Sequence, residues 1–445
     1  MTGPTVDHAA LANDPGRRGS LARVFQSALR AVDPGVAVAA ALRRDGRFLF
    51  AGRRAIDLEE IDRVLVLAFG KASVPMAGAI VSILGDLPID GVVVSNDPRD
   101  VPYLDVLRAA HPVPDETSVS AARRLTEAAA TAGPRDVVLV AISGGGSALL
   151  TLPAAGVSLA DLAATTSLLL RCGASIQELN TVRKHLSAVK GGRLAATVSG
   201  AAAVVTLVIS DVVGDDLTVI ASGPMVPDLS TFADALAVLD RFDLRRTVPG
   251  RVVEHLEAGA DGRVPETVKD EGVFATQSIE LVATARRAAE GAVHRARALG
   301  WEAAVAAVDV TGEAREVAGR IVASASHLRP GEMLVYAGET TVTVDGDGRG
   351  GRNQELALAA ALGLAGDGGV VLLAAGTDGI DGSTEVAGAF ADGGSVARGK
   401  ELGLDAADYL RRHDSYSYLS AVGDVIVTGP TGTNVGDLIL VARSG

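Results

Sequence analysis

Cysteine is almost absent from this sequence, since Cys172 is the single one among 445 residues. No intrachain disulfide can form, and a zinc site built on several cysteines is excluded. The residues before Cys172 are typical of a helix, so we expect a buried structural thiol at this position.

Long apolar runs and an excess of basic residues are also lacking. No stretch approaches the roughly 18 apolar residues that a membrane-spanning helix needs, and the N-terminal residues contain no apolar segment typical of a signal peptide. The 41 Lys and Arg residues face 54 Asp and Glu residues, a formal charge of -13, which argues against nucleic acid as a partner. We therefore expect a cytoplasmic protein that binds neither nucleic acid nor a membrane. Any anionic substrate must meet a local basic cluster.

Aliphatic residues and glycine dominate instead. Hydrophobic residues make up 48% of the chain, glycine accounts for 52 residues, and aromatic residues contribute only 3%. Short aliphatic runs, such as 64–69 and 137–142, alternate with longer segments of helical period, which predicts an α/β fold with buried parallel strands. The length predicts two domains. We expect them to be residues 1–250 and 251–445, joined through the polar Pro- and Gly-containing segment 246–272.

Three successive glycines follow the predicted strand 137–142. The turn consists of Ser143, Gly144, Gly145, Gly146 and Ser147. Glycine lets a backbone approach a phosphate closely, and N–H groups at the start of a helix attract anions. In a parallel sheet such a turn lies at the carboxyl ends of the strands, where ligands bind. We predict a phosphate site here, because a tight turn without a ligand does not need three glycines.

Two other glycine patterns suggest nucleotide binding, but neither is complete. Residues 394–400 have Walker A spacing, yet Glu401 stands where Ser or Thr is required and no strand precedes the segment. The glycines of 346–351 match a dinucleotide pattern, but the acidic residue expected about 20 positions later is missing. The segment 349–355 instead favours a loop that presents arginines, Arg352 among them, to a polyanion. A solvated loop is the alternative.

Basic residues also gather in two other places. Arg183 and Lys190 are two helical turns apart in a predicted helix over 175–197, which would place them on one face near Asn180. A solvated charged face is an equal alternative. Lys71 directly follows the first predicted strand, so we expect it at the ligand-binding edge of the sheet, although a lysine there is often an ordinary surface residue.

Carboxylates and one histidine complete the set of candidates. Asp211 and Asp378 each follow a predicted strand, where a carboxylate could hold Mg²⁺ together with phosphates. Aspartate is equally common as a turn former. His111 ends another strand, and a structural histidine is the simpler interpretation. The seven histidines show no spacing typical of a metal site.

Taken together, these motifs resemble the class II glycerate kinases, the glycerate 2-kinase family with its C-terminal MOFRL domain. One matching segment would be weak evidence, whereas ten in family order over about residues 20–443 make a specific match. The matching segments are 70–72, 111–115, 143–148, 180–187, 190–192, 210–216, 222–224, 350–355, 377–382 and 428–434.

The resemblance implies an ATP- and Mg²⁺-dependent kinase that phosphorylates the 2-hydroxyl of glycerate. It also implies a larger Rossmann-like domain with a doubly wound parallel sheet and a smaller α/β domain that contains the MOFRL region at about 330–443. The active site is expected in the cleft between them. Lys71 and Arg352 match the residues suspected of catalysis in this family.

The other candidates then have expected roles in binding. They are Ser143, Gly144, Gly145, Gly146, Ser147, Lys190 and Gly191 for the nucleotide phosphates, Asn180, Arg183 and His111 for the acceptor, and Asp211 and Asp378 for the metal.

The sequence departs from the family pattern at 95–98, at 274–277 and at Met225. None of these positions is a proposed catalytic residue, but they leave the acceptor open, so a kinase for a related sugar acid is an alternative. An NAD(P)-dependent hydroxypyruvate reductase is a second alternative, which the incomplete dinucleotide pattern disfavours. A binding protein without turnover is a third, against which the intact Lys71 and Arg352 weigh.

Overall fold

The computed structural model describes residues 11–52 and 54–444. The chain divides into two compact units: the first unit is Ala37–Val282, and the second unit combines the residues before Ala37 with those after Val282. No helix in the described ranges is long and apolar enough to cross a membrane. The first ten residues, part of the segment searched for a signal peptide, lie outside these ranges.

The elements are numbered along the chain. The strands are β1 (Leu42–Asp45), β2 (Phe48–Ala51), β3 (Arg54–Asp57), β4 (Arg63–Phe69), β5 (Ile89–Ser95), β6 (Asp105–Arg108), β7 (Asp136–Ile142), β8 (Ala203–Ile209), β9 (Gln277–Ala283), β10 (Glu302–Val310), β11 (Glu332–Gly338), β12 (Val370–Gly376), β13 (Gly388–Asp392), β14 (Val425–Ile426) and β15 (Asp437–Arg443). The α-helices are α1 (Pro15–Ala31), α2 (Pro34–Ala41), α3 (Ser73–Leu84), α4 (Glu116–Ala129), α5 (Gly146–Leu149), α6 (Leu159–Arg171), α7 (Ile176–His185), α8 (Arg193–Val198), α9 (Phe232–Arg241), α10 (Gly250–Ala260), α11 (Ala285–Ala298), α12 (Ala314–Ala325), α13 (Arg352–Leu364), α14 (Ser395–Glu401), α15 (Ala406–Arg411) and α16 (Ser415–Ala421).

A six-stranded sheet in the order β6-β5-β4-β7-β8-β9 forms the centre of the first unit. Strands β4 to β8 run parallel, and the register pairs Leu67 with Val92 on one side and with Val140 on the other. Every residue of β7 and β8 is buried. Strands covered on both faces need apolar side chains throughout, which explains the continuous aliphatic runs. The predicted doubly wound parallel sheet is confirmed.

The strand order of this sheet reverses between β4 and β7, since β5 and β6 lie on one side of β4 and β7 and β8 on the other. In doubly wound sheets ligands bind at such a reversal, outside the carboxyl ends of the strands. Lys71 follows β4, and the turn 143–147 follows β7. The fold therefore brings the predicted lysine and the predicted glycine turn to one place.

A second core in the first unit lies among α6, α7, α9 and α10, where Val182, Leu239 and Leu256 are buried. Helix α10 occupies part of 246–272, which we predicted to connect two domains. Its apolar face packs on α9, so the segment belongs to this unit and does not form a linker. Cys172, at the end of α6, is exposed, and the expectation of a buried thiol is wrong.

The second unit is built on a mixed sheet in the order β10-β11-β15-β12-β13-β14. Strands β10 and β11 are parallel, and the other neighbours are antiparallel. Helices α12 and α13 cover the sheet with a core that includes Ile321, Leu356 and Leu372. Strand β13 was not predicted, because it lies in a stretch rich in Gly and Asp that is typical of a loop.

The N-terminal helix α1 belongs to the second unit. It packs against α11, and the fully buried Arg18 forms ion pairs with Asp392 at 2.5 Å and Asp424 at 2.8 Å. A buried cation is stable only beside such partners, so these carboxylates fix the helix. The two units therefore differ from the predicted domains 1–250 and 251–445, both in α1 and in the boundary.

Candidate functional site

Two loops meet at the strand reversal of the first unit. Gly70 has a φ of 121°, and a Cβ on this residue would lie 2.2 Å from Oγ of Ser143. Oγ of Ser143 accepts a hydrogen bond from the amide of Ala72 at 3.0 Å. The amide of Lys71 donates to the carbonyl of Gly144 at 2.9 Å. Because only glycine permits this approach at position 70, the sequence fixes Lys71 beside the glycine turn.

Three ionisable side chains lie against this turn. A Cβ built on Gly144 would be 2.2 Å from Oδ2 of Asp211. A Cβ on Gly145 would be 2.9 Å from Cδ2 of His111 and 3.3 Å from Cγ of Lys71. A carboxylate, an imidazole and the stem of a lysine therefore pack on two neighbouring glycines. The sequence predicted each residue separately, and the fold brings them together.

The glycine turn also presents backbone donors. The amides of Gly144, Gly145 and Ser147 donate no hydrogen bond to any described group, whereas the amide of Gly146 donates to the carbonyl of Ser143 at 3.3 Å. Unbonded amides in a glycine turn before a helix can bind an anion. The geometry of the turn therefore suits a phosphate.

Lys190 lies beneath the turn and is buried. Its Nζ donates to the carbonyls of Ser147 at 2.9 Å, Leu150 at 3.4 Å and Ala221 at 3.5 Å. Burial holds the pKa of Lys190 well below its usual value, and the charge of Arg183 lowers it further. An ammonium bound to three carbonyls does not face a ligand, so we assign it a positioning role in place of the predicted phosphate contact. Helix α7 ends before Lys190, and the predicted helix face shared with Arg183 is wrong.

A chain of hydrogen bonds connects the turn to α7. Oγ of Ser147 lies 3.0 Å from Oγ of Ser222, which donates to Oδ1 of Asn180 at 2.9 Å. The amide of Gly191 donates to the carbonyl of Ser222 at 3.2 Å. Gly191 thus supports this chain, and its N–H is engaged. Ser222 was not among the predicted site residues, although it stands in the matching segment 222–224.

Arg183 follows Asn180 by one turn of α7. Its Nε is buried without a hydrogen-bond partner, and no described carboxylate forms an ion pair with its guanidinium. Burial lowers the pKa of Arg183. The neighbouring Lys184, by contrast, pairs with the buried Asp228 at 3.2 Å. A half-buried guanidinium without a counter-charge attracts an anionic ligand.

The imidazole of His111 responds to the charge of Lys71. Burial lowers the pKa of His111, and the positive charge of Lys71 lowers it further. We expect the substitution Lys71→Met to raise the pKa of His111 toward its ordinary value of 6.5, because one of the two causes is removed. An NMR titration of the histidine signals, assigned with His111→Gln, measures the shift. Lys400→Met, an exposed lysine of the second unit, is the control, and an equal pKa of His111 in both variants would contradict this geometry.

Arg352 opens α13 in the second unit, and two carboxylates hold its guanidinium. Nε and Nη2 donate to the two carboxylate oxygens of Asp437 at 2.6 and 2.9 Å, and Nη1 donates to Glu339 at 2.6 Å. Burial lowers the pKa of Arg352, but the hydrogen bonds and charge of Asp437 and the charge of Glu339 outweigh it and raise this pKa overall. The guanidinium is therefore charged and fixed in orientation. Neither acid was predicted, because nothing in the sequence links it to Arg352.

A buried carboxylate fixes the first turn of α13. Asp381 accepts hydrogen bonds from the amides of Asn353 at 3.1 Å and Gln354 at 2.9 Å. It also accepts from the side-chain amides of the same two residues, at 3.1 and 2.8 Å. Burial raises the pKa of Asp381, while these bonds lower it. The start of α13, and with it Arg352, is thereby held in place.

The two predicted metal ligands differ in their surroundings. Among the described residues, no group of three or more His, Cys, Asp or Glu side chains could hold a metal ion. Oδ1 of Asp378 accepts a hydrogen bond from the amide of Ile380 at 3.1 Å. Asp378 therefore acts as a turn former, which was the alternative interpretation of its position. Asp211 lies against the glycine turn. A single carboxylate beside phosphate oxygens fits Mg²⁺, which needs few protein ligands.

Comparison with known proteins gives consistent matches. A domain of unknown function (DUF4147) matches residues 20–257, and the MOFRL family matches residues 332–437. A glycerate 2-kinase from Pyrococcus horikoshii is 41% identical over 430 residues, which cover 94% of this chain and 95% of that protein. The chain belongs to the glycerate 2-kinase family. A D-glycerate 2-kinase from Thermotoga maritima is 43% identical over 391 residues, or 85% of this chain and 90% of that protein.

A solved structure shares the fold of this glycerate 2-kinase family member. The crystal structure of a glycerate kinase from Thermotoga maritima has a TM-score of 0.85 and 39% identity, and the match covers 96% of this chain and 100% of that chain. The family resemblance read from the sequence is therefore confirmed. Within the first unit of this family member, Lys71, His111, Asp211 and the turn 143–147 are neighbours, while Arg352 stands in the second unit.

Proposed function

We propose that this protein is an ATP-dependent kinase that transfers the γ-phosphoryl group to the 2-hydroxyl of glycerate and forms 2-phosphoglycerate. The observation that carries the proposal is the glycine turn after β7, whose unbonded amides lie beside Lys71 and Asp211. The named relatives support the same reaction. The need for ATP and the single cysteine favour the cytoplasm as the compartment.

The phosphate groups of ATP bind at the glycine turn in this proposal. The amides of Gly144, Gly145 and Ser147 donate to phosphate oxygens, and the ammonium of Lys71 neutralises charge on the group that is transferred. Lys190 and Ser222 act indirectly, because they hold the backbone and the hydroxyl of Ser147 in place.

In this proposal the carboxylate of Asp211 orients the acceptor hydroxyl or holds a magnesium ion. When bound, Mg²⁺ would neutralise part of the phosphate charge. Phosphoryl transfer needs little covalent help from the protein, so correct placement of the hydroxyl is the main contribution expected from this residue. His111, kept neutral at pH 7 by burial and Lys71, can accept or donate a hydrogen bond without adding charge.

The acceptor carboxylate binds to Arg183 in this proposal, because the Nε of Arg183 is buried without a hydrogen-bond partner and its guanidinium has no carboxylate partner among the described residues. We expect Arg183→Gln to raise the KM for glycerate about 10- to 100-fold, since a charged hydrogen bond is lost, while the KM for ATP changes little. Steady-state kinetics with each substrate varied measures both constants. Arg171→Gln, an exposed arginine at the end of α6, is the control. An increase confined to the KM for ATP would indicate that Arg183 binds the nucleotide and not the acceptor.

Arg352 is also assigned to catalysis in this proposal, on the basis of the family resemblance. Arg352 is charged, fixed by Asp437 and Glu339, and matches the residue suspected in the family. It adds positive charge where the phosphoryl group is transferred.

An ADP-release assay with ATP, Mg²⁺ and D-glycerate tests the function, with phosphorus NMR to identify the product. We expect 2-phosphoglycerate. ADP release only with other hydroxy acids would support the kinase function but identify a related sugar acid as the acceptor. Absence of ADP release with every acceptor, from folded protein, would overturn the proposal. Oxidation of NADH by hydroxypyruvate would then favour the reductase.

A further inference from the structure

The segment 221–223 of the first unit has an unusual backbone. Its three residues have φ angles of 52°, 63° and 63°, and the first two, Ala221 and Ser222, carry side chains. The left-handed conformation is unfavourable for residues with a Cβ, so it persists only where the surrounding structure holds it. Strain of this kind is common at functional sites, and a function is therefore expected for Ser222.

The segment 190–192 holds these three residues in place. Nζ of Lys190 donates to the first carbonyl, that of Ala221, at 3.5 Å. The amides of Gly191 and Gly192 donate to the second and third carbonyls at 3.2 and 2.8 Å. Each carbonyl of the strained segment therefore accepts a hydrogen bond from the segment 190–192, which fixes the backbone that directs the side chain of Ser222.

The hydroxyl of Ser222 has one proton, and the direction of that proton follows from its partners. Oγ of Ser222 donates to Oδ1 of Asn180 at 2.9 Å. Oγ of Ser147 lies 3.0 Å from Oγ of Ser222 and is the donor in that pair, because a hydroxyl carries a single O–H. The chain of hydrogen bonds therefore runs from the glycine turn to Asn180. It holds the amide of Asn180 with Oδ1 toward Ser222, which leaves Nδ2 for another partner.

Two nitrogen donors on α7 lack an acceptor. Asn180 is 3% exposed, and its Nδ2 is buried without a hydrogen bond to any described group. Nε of the half-buried Arg183, one turn further along the helix, is in the same condition. Residues three apart lie on the same face of a helix, and two adjacent N–H donors match the two oxygens of a carboxylate. Because a buried donor without an acceptor is unfavourable, a bound carboxylate would satisfy both nitrogens.

We propose that Ser222 is a positioning residue of the acceptor site, which orients Asn180 so that Nδ2 donates to the acceptor carboxylate beside Arg183. The proposal rests on the kinase function proposed above, and it adds a second donor to the contact assigned there to Arg183. All of these residues belong to the first unit. Glycerate and related hydroxy acids share the carboxylate, so the two donors recognise this class of acceptor and do not choose among its members.

The substitution Ser222→Ala removes the hydrogen bond to Asn180 and leaves the carbonyl of Ser147 bound to Lys190. We expect the KM for glycerate, and its Kd from titration calorimetry, to rise about 3- to 10-fold, since the orientation of one hydrogen bond is lost. The KM for ATP should stay within about twofold. Ser82→Ala, at an exposed position of α3, is the matched control and should change none of these constants. Ser222→Gly removes the same hydroxyl, suits the left-handed backbone and should give the same rise.

The double variant Asn180→Ala with Ser222→Ala shows whether Ser222 acts through Asn180. We expect Asn180→Ala alone to raise the KM for glycerate about tenfold. The addition of Ser222→Ala should raise it no further, because the side chain that Ser222 orients is gone. Additive increases would show a general structural effect and overturn the proposal. An equal KM for glycerate in Ser222→Ala and Ser82→Ala, or an equal rise of both KM values in Ser222→Ala, would overturn it as well.

A failure of the kinase function itself has a different signature. It appears as no phosphorylated product from the unmodified protein with any hydroxy acid, whereas the role of Ser222 is rejected in variants of an active enzyme. If another hydroxy acid is the acceptor, its KM replaces that for glycerate in each comparison, because the carboxylate is common to all of them.

Discussion

Replacement of Lys71 by alanine is expected to reduce kcat about 10²- to 10⁴-fold, because the residue supplies positive charge where the phosphoryl group is transferred. The side chain is exposed, and it forms no ion pair with a described carboxylate, so the substitution leaves no buried charge without a partner. Its backbone bond to Gly144 is retained. Coupled ADP release measures kcat, and thermal unfolding should give an unchanged Tm.

Two further variants define the cause of this loss. Lys400→Ala removes another exposed lysine and should retain full activity. Lys71→Arg keeps the charge but places a larger group next to Gly145, and we expect activity between those of the original protein and Lys71→Ala. Near-normal turnover in Lys71→Ala would remove this residue from the mechanism.

Replacement of Arg352 by alanine is expected to reduce both turnover and stability. Turnover should fall about 10³-fold, as for other arginines that stabilise a transferred phosphoryl group. Stability should fall because Asp437 is 3% exposed and would lose its cation. Loss of one partner of a buried pair costs up to about 3 kcal/mol of unfolding free energy, measured by denaturant unfolding.

The double variant Arg352→Ala with Asp437→Asn separates the two effects. It removes the unpaired buried charge, so we expect stability to recover in large part while turnover stays low. Arg349→Ala, at an exposed position of the preceding loop, is the control and should retain both. Recovery of turnover in the double variant would show that Arg352 acts only through the fold.

The parts of the fold that the sequence predicted have strong local signals. Strands β4, β7 and β8 are aliphatic runs because they are buried on both faces. The turn 143–147 is recognisable from its consecutive glycines. Lys71 was placed correctly because it directly follows such a strand. Strand β13 and helix α10 lacked these signals, since each lies in a segment whose Gly or Pro content is typical of a connection.

The missed features of the site depend on contacts between distant residues. Asp437 is 85 residues from Arg352 along the chain, and Ser222 is 75 residues from Ser147. An isolated acid or serine carries no local pattern that identifies such a partner. Lys190 shows the opposite error, because a basic residue beside glycines is typical of a phosphate site, yet its burial directs the ammonium to carbonyl oxygens.

The position of α1 has a consequence for synthesis of the protein on the ribosome. Arg18 is made early, but its partner Asp392 lies 374 residues later. At about 5–20 residues per second, translation takes on the order of 20–75 s to reach that partner. During this interval the complete Ala37–Val282 unit can emerge and fold, while Arg18 of the preceding helix remains without its carboxylate partners. Arg18 is therefore translated before the whole first unit but reaches its native contacts after that unit is complete.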